Sequence, residues 1–298
     1  MSSMDFHPDL RRAARFAPRR TMGPRVLPLM RAMSKVRFRG GSSSGAEVLT
    51  LGSGVGVRLF RAAHGAGPAP ALLWIHGGGY VIGSAEMDDR LCARFATRLG
   101  ITVASVEYRL APEHPYPAAL QDCYAALTWL AGLPGVDSAR VAIGGASAGG
   151  GLAAALALWA RDHGFTPAFQ LLVYPMLDDR SAATADKAGY RLWNPRANRF
   201  GWSAYLGAAD PRVAVPARRD DLGGLPPAWI GVGTNELFHD EDLAYAERLR
   251  AAGVPCEVEV VPGAFHGFDI WAAKTPVAQR FFDSQCQALD AALSHIAK

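Results

Sequence analysis

The stretch RVAIGGASAGGGLAAALALWA, residues 140–160, decides the fold. A short β-branched run (Val141, Ile143) enters a glycine-rich turn. An alanine- and leucine-rich segment (Leu152, Leu156, Leu158) leaves it. The change from strand to helix composition across a few residues predicts a sharp strand-turn-helix corner. Ser147 sits at its apex, inside the pattern Gly145-Ala146-Ser147-Ala148-Gly149. Such a corner strains the serine backbone, and the flanking glycines let neighbouring chain approach without Cβ clashes. It lifts a hydroxyl above the sheet at a helix N-terminus, where developing negative charge is favoured. The pattern alone is weak evidence: Gly41-Ser42-Ser43-Ser44-Gly45 also matches, but it follows no strand, opens no helix and reads as linker.

Outward from this corner, short apolar runs alternate with helical patterns. The runs are Val48–Leu51, Val55–Arg61, Ala71–Ile75, Thr102–Val106, Val141–Ile143, Gln170–Tyr174, Trp229–Val232 and Glu257–Val261. Between them, helical spacing runs over Asp88–Leu99, Pro117–Ala131, Ala148–His163, Asp240–Ala252 and Pro276–Ile296. Pro276 suits a first helical position, and Gly100 and Gly253 suit helix ends. Strand-helix alternation implies a mostly parallel sheet of runs buried on both faces and covered by helices. Residues from about 178 to 225 break the rhythm with Trp193, Pro195, Trp202, Tyr205, Pro211 and Pro216. That insertion is too long for a simple loop and, with the N-terminal arm, is expected to form a cap.

Three further stretches carry chemistry. His76-Gly77-Gly78-Gly79 follows the run Ala71–Ile75. Consecutive glycines can aim backbone N–H groups at a tetrahedral oxyanion, with Ala148 N–H beside the nucleophile as a further donor. His76 itself reads as a structural hydrogen-bonding group. His266, in Pro262-Gly263-Ala264-Phe265-His266-Gly267-Phe268, follows the last apolar run, so it is expected at the same sheet edge as Ser147 as general base. The imidazole needs an anionic partner to fix its tautomer. Glu236, just past the run Trp229–Val232, is the first candidate; Asp240, Glu241, Asp242 and Asp269 are the alternatives. The acids at 240–242 also suit the first turn of a helix.

Together these motifs resemble the hormone-sensitive-lipase-like family of α/β-hydrolase esterases. HGGGYVIGS at His76–Ser84 looks like the family's oxyanion motif, and Tyr108-Arg109-Leu110-Ala111-Pro112-Glu113 like the segment after its fourth strand. GASAGG at Gly145–Gly150 looks like its nucleophile elbow, and PGAFHGF at Pro262–Phe268 like its histidine loop. The resemblance implies an α/β-hydrolase fold: a mostly parallel eight-stranded sheet, helices on both faces and a helical cap. It implies carboxylester hydrolysis by Ser147 and His266, oxyanion donors at Gly78, Gly79 and Ala148, no cofactor, and a possible homodimer. Two positions depart from the family pattern. Ala146 replaces the acidic residue usual before the serine, and Glu236 aligns with the usual triad Asp.

The expected organisation is a basic arm over residues 1–45 and a catalytic domain over 46–298, with the cap insertion at about 178–225. The expected activity is hydrolysis of short- to medium-chain esters through an acyl-enzyme. A lactonase, amidase or deacetylase with the same residues is the neighbouring reading, and a non-catalytic ligand-binding relative the other.

Composition limits the remaining classes. Half of the 298 residues are hydrophobic and 19% are charged, which excludes a disordered chain. The four cysteines are scattered without zinc spacing, so no metal is expected and the thiols read as reduced. No apolar run is long enough for a membrane span, and the first 40 residues hold no apolar stretch of the kind a secretory signal needs, so stable membrane insertion is not expected and the cytoplasm is the expected compartment. Residues 1–40 hold nine Arg and one Lys against two Asp, and Leu27, Met30, Met33 and Val36 recur there at helical spacing. The arm is expected to pack on the rest of the protein rather than bind nucleic acid. The expected partner is a small-molecule ester.

Overall fold

The computed structural model describes residues 6–19, 23–38, 45–61 and 67–294, with side chains of 33–38 left aside. The GGSSSG link falls almost wholly outside the described residues, as do the side chains of Met33 and Val36. The arm holds helices α1 (Arg11–Phe16) and α2 (Leu27–Phe38). Strands β1 (Glu47–Thr50), β2 (Gly56–Phe60) and β3 (Ala69–Ile75) follow, then α3 (Asp89–Leu99), β4 (Thr102–Glu107) and α4 (Ala118–Ala131). Next come β5 (Val136–Ala146), α5 (Ala148–Asp162) and β6 (Phe169–Val173). The insertion carries α6 (Pro195–Leu206) and α7 (Pro211–Ala214). The chain closes with β7 (Ala228–Gly233), α8 (His239–Ala251), β8 (Cys256–Val261), α9 (Phe268–Trp271) and α10 (Pro276–Ser294).

The eight strands form one sheet in the order β1-β2-β4-β3-β5-β6-β7-β8. β2 pairs antiparallel with both β1 and β4, and every other pair is parallel. The alternation of side chains along a strand divides the core in two. Leu73, Ile75, Ile143 and Leu172 face α4 and α5 (Leu120, Leu127, Leu156). Leu72, Trp74, Ala142 and Leu171 face α3 and α10 (Phe95, Phe281, Leu289). Burial on both faces holds for the inner strands: β7 is buried throughout. The outer strands β1 and β8 are largely half-buried or exposed, since each lacks a neighbour on one side.

The arm packs on this body. Leu10, Ala14 and Ala17, spaced to one face of α1, join the α3–α10 core. Arg31 of α2 donates to the Val81 and Ala111 carbonyls at 2.8 and 2.7 Å and grips Glu113 with both terminal nitrogens at 2.7 and 2.9 Å. No helix among the described residues is long and apolar enough to cross a membrane.

Candidate active site

β5 ends at Ala146 and α5 begins at Ala148, so Ser147 alone turns the chain. Its φ of 57° and ψ of −121° lie where a side chain is strained, at a cost of about 1–3 kcal/mol. The surroundings hold it there. Ser147 N–H donates to the Val173 carbonyl at 2.9 Å, and Ser147 C=O accepts from Gly151 and Met176, both at 3.0 Å. The glycines are required by contact: a Cβ on Gly145 would meet Gly149 at 2.5 Å, and one on Gly149 would meet the Ile75 carbonyl oxygen at 2.0 Å.

The loops after β7 and β8 are stitched together. Asn235 N–H donates to the Ala264 carbonyl at 2.9 Å, and Gly263 N–H to Thr234 Oγ1 at 2.8 Å. This brings Glu236 and His266 into contact across thirty residues of sequence. His266 Nε2 stands 2.9 Å from Ser147 Oγ, and His266 Nδ1 stands 3.1 Å from Glu236 Oε1. Glu236 Oε2 accepts Gly233 N–H at 3.2 Å, which fixes the carboxylate. An ionised carboxylate only accepts, so Nδ1 carries the proton and Nε2 is left to accept from the Ser147 hydroxyl. The ring is held edge-on between Tyr174 and Phe238, with centroids 4.8 and 5.2 Å away. All three polar residues are buried.

The alternative acids lie elsewhere. Asp240 is 84% exposed and pairs with His239 Nδ1 at 2.7 Å. Asp242 is buried with neither carboxylate oxygen bonded among the described residues, and burial pushes its carboxyl well above the usual range. Asp269 accepts the Tyr174 hydroxyl at 2.7 Å. None of them bonds His266.

The HGGG loop leaves β3 beside the serine corner. Gly78 and Gly79 take positive φ values of 125° and 59°. A Cβ on Gly77 would lie 3.5 Å from Ser147 Cβ, and one on Gly78 would strike the Ile82 carbonyl oxygen at 2.0 Å. Among the described residues, no acceptor takes the backbone N–H of Gly78, Gly79 or Ala148. Ala148 directly follows the serine, and Gly78 and Gly79 directly follow Gly77, the loop residue beside Ser147 Cβ. His76 does not reach the hydroxyl. It is fully buried, stacks on Tyr108 at 4.2 Å and donates from Nδ1 to the Gly77 carbonyl at 2.8 Å. Burial lowers its pKa to about 4, so it stays neutral.

Four further side chains shape the surroundings of the site; Tyr174 and Phe238 had no site role in the sequence reading, and Trp193 and Glu241 had different ones. Tyr174 and Phe238 clamp the imidazole. Trp193 closes on Gly79, where a Cβ would meet its Cη2 at 2.1 Å. Glu241 was grouped with dipole-favouring acids. Instead its buried carboxyl accepts from Leu177 N–H at 2.7 Å, Asp178 N–H at 3.1 Å and the Ser181 hydroxyl, tying the start of the insertion to α8. Burial pushes that carboxyl up to about 8. A signal for Trp193 was readable: Asn194-Pro195 is a helix-start pair, and Asn194 Oδ1 caps α6 by accepting Ala197 N–H at 2.9 Å. Among the described residues, no group of three or more His, Cys, Asp or Glu could hold a metal ion.

Comparison with known proteins identifies the family of the chain. Residues 72–270 match the family described as alpha/beta hydrolase fold. The chain is 40% identical over 220 residues to esterase LipI of Mycobacterium tuberculosis, covering 70% of this chain and 69% of that one. Among solved structures it resembles a bacterial heroin esterase (TM-score 0.87, 38% identity, 97% and 98% of the two chains covered). It also resembles esterase LipW of Mycobacterium marinum (TM-score 0.86, 37% identity, 98% and 97% covered). A serine corner on a mostly parallel sheet, a facing histidine loop and these relatives lead to one assignment: the chain belongs to the α/β-hydrolase fold family, in its hormone-sensitive-lipase-like branch.

Proposed function

We propose that this protein is a serine carboxylesterase in which Ser147, His266 and Glu236 act as nucleophile, base and acid. The observation that carries the reading is the 2.9 Å approach of His266 Nε2 to a Ser147 hydroxyl held in strained backbone. In the proposed reaction Ser147 Oγ bonds to the ester carbonyl carbon while its proton passes to His266 Nε2. The oxyanion rests on the N–H groups of Gly78, Gly79 and Ala148. Collapse expels the alcohol, which takes the proton from His266. Water then attacks the acyl-serine, with His266 as base again, and releases the acid. Glu236 holds Nδ1 and stabilises the imidazolium. The esterase names of the relatives support ester chemistry.

Residues 1–45 and about 178–225 are proposed as the cap, supported by bonds between them. Leu192 N–H donates to the Pro18 carbonyl at 2.8 Å, and Asn194 Nδ2 to the Arg19 carbonyl at 2.6 Å. Behind the oxyanion loop, Tyr80 stacks on Tyr205 at 4.1 Å and lies 5.2 Å from Trp202. This filled aromatic layer supports short- to medium-chain acyl groups over long ones. The four free cysteines are in keeping with a reducing compartment such as the cytoplasm. Rates on p-nitrophenyl esters of increasing acyl length test the reading. A maximum at short to medium chains, lost in Ser147→Ala, is expected; turnover by Ser147→Ala at the parent rate contradicts it. Sedimentation equilibrium tests the expected homodimer.

A further inference from the structure

The outward face of α1 carries charge that no ion pair balances among the described residues. Leu10, Ala14 and Ala17 turn inward, so Arg11, Arg12, Arg15 and Phe16 turn out. Arg19 lies exposed just beyond. Among the described residues none of these four arginines forms an ion pair; the arm's Asp9 is engaged by His7 and Arg280 instead. Arg191 adds a fifth cation. It donates to the Ala14, Ala188 and Tyr190 carbonyls and lies 4.8 Å over the Phe6 ring. Among the described residues no carboxylate pairs with it, and Arg19 stands close enough to oppose its charge.

Large apolar side chains stand beside these cations. Phe16 is 73% exposed, Ile270 60% and Trp271 42%. Trp271 is tied to α1 through its indole N–H, which donates to the Ala13 carbonyl at 3.2 Å. A surface that mixes unpaired arginines with exposed aromatic and aliphatic side chains matches the boundary of an anionic bilayer, where headgroups take the guanidinium groups and the acyl boundary takes the rings.

We infer that this face is a reversible docking surface for anionic lipid membranes. Binding is peripheral, through side chains rather than a spanning helix. An isoleucine and a tryptophan held on the folded body suit an acyl boundary better than a polynucleotide, whose bases stack on flat rings along a basic groove. The surface lies next to the proposed cap contacts: the Pro18 and Arg19 carbonyls bond residues 192 and 194, and Trp193 between them covers Gly79. Docking therefore brings the bilayer beside the chemistry, which suits esters carried in or near lipid.

Flotation of the full chain with phosphatidylglycerol-containing vesicles, against pure phosphatidylcholine vesicles, tests this. The Ser147→Ala protein is used, so binding is read without turnover and independently of the catalytic assignment. Binding to the anionic vesicles that weakens with salt is expected. Arg12→Gln and Arg15→Gln should each lower the partition coefficient about 5-fold, and Phe16→Ser about 10-fold. Made in the parent protein, the same changes should leave thermal unfolding and hydrolysis of soluble p-nitrophenyl acetate unaltered. No flotation with either vesicle overturns the inference. So does equal flotation with both that ignores the arginine variants, and so does retention on RNA without vesicle binding.

Discussion

Gly149 packs against the carbonyl oxygen of Ile75 so closely that a Cβ there would stand 2.0 Å from it. Ile75 ends β3 and pairs in register with Gly145 of β5. The next residues are the HGGG loop. One glycine contact therefore sets the serine corner close against the end of β3, from which the HGGG loop leaves. Gly149→Ala should force the two apart, lower kcat/KM on p-nitrophenyl acetate by at least about 10²-fold and destabilise the fold by roughly 1–3 kcal/mol. Steady-state kinetics and urea unfolding of the variant check both numbers.

Glu236 and Asp240 separate cleanly. Glu236 bonds the imidazole from a buried position, whereas Asp240 is solvated and paired with His239. Glu236→Gln reverses the donor pattern at Nδ1 and should cost roughly 10³–10⁴ in kcat. Asp240→Asn should stay within about 2-fold, as exposed ion pairs contribute little. Equal losses in the two variants would count against Glu236.

Glu241 makes stability depend on pH. Burial raises its carboxyl from 4.5 to about 8. The folded chain therefore keeps a proton that the unfolded chain has released, and stability falls as pH rises from about 4.5 to about 8. Below that window the contribution is complete. Glu241→Gln keeps an acceptor for the Leu177 and Asp178 N–H groups and removes the titration. Its melting temperature should change less across this window than the parent's, as read by calorimetry at a series of pH values.

Tyr174 donates to the half-buried carboxyl of Asp269 and sets its ring against His266. Tyr174→Phe keeps the ring and removes the donor. It should cost about 1 kcal/mol of stability, the net worth of one hydrogen bond. The ring contact survives, so kcat should fall by less than about 10-fold. Adding Asp269→Asn should cost less than the sum of the single changes, since both act on one bond. Chemical denaturation of the three variants measures the coupling.

Local signals carried much of the fold. Apolar runs bounded by glycine and proline marked each strand, and β5 and α5 meet at Ser147 as their compositions required. The strand order was not legible, because β4 lies between β2 and β3 through contacts far apart in sequence. The serine, the histidine and the glycine loop could be read from motif and position, since each follows a strand. Glu241 could not. An acid in the first turn of a helix has the same sequence signature whether it faces water, as Asp240 does, or is buried against residues 177–181. Asn194-Pro195 marked the helix start beside Trp193, but the contact of Trp193 with Gly79 was not legible, because the two lie over a hundred residues apart.

The most direct test is intact-mass analysis and peptide mapping after treatment with a fluorophosphonate ester. The account predicts one stoichiometric adduct on Ser147, absent in Ser147→Ala and strongly slowed in His266→Ala. Labelling at another residue, or labelling of Ser147 at an unchanged rate without His266, would contradict it.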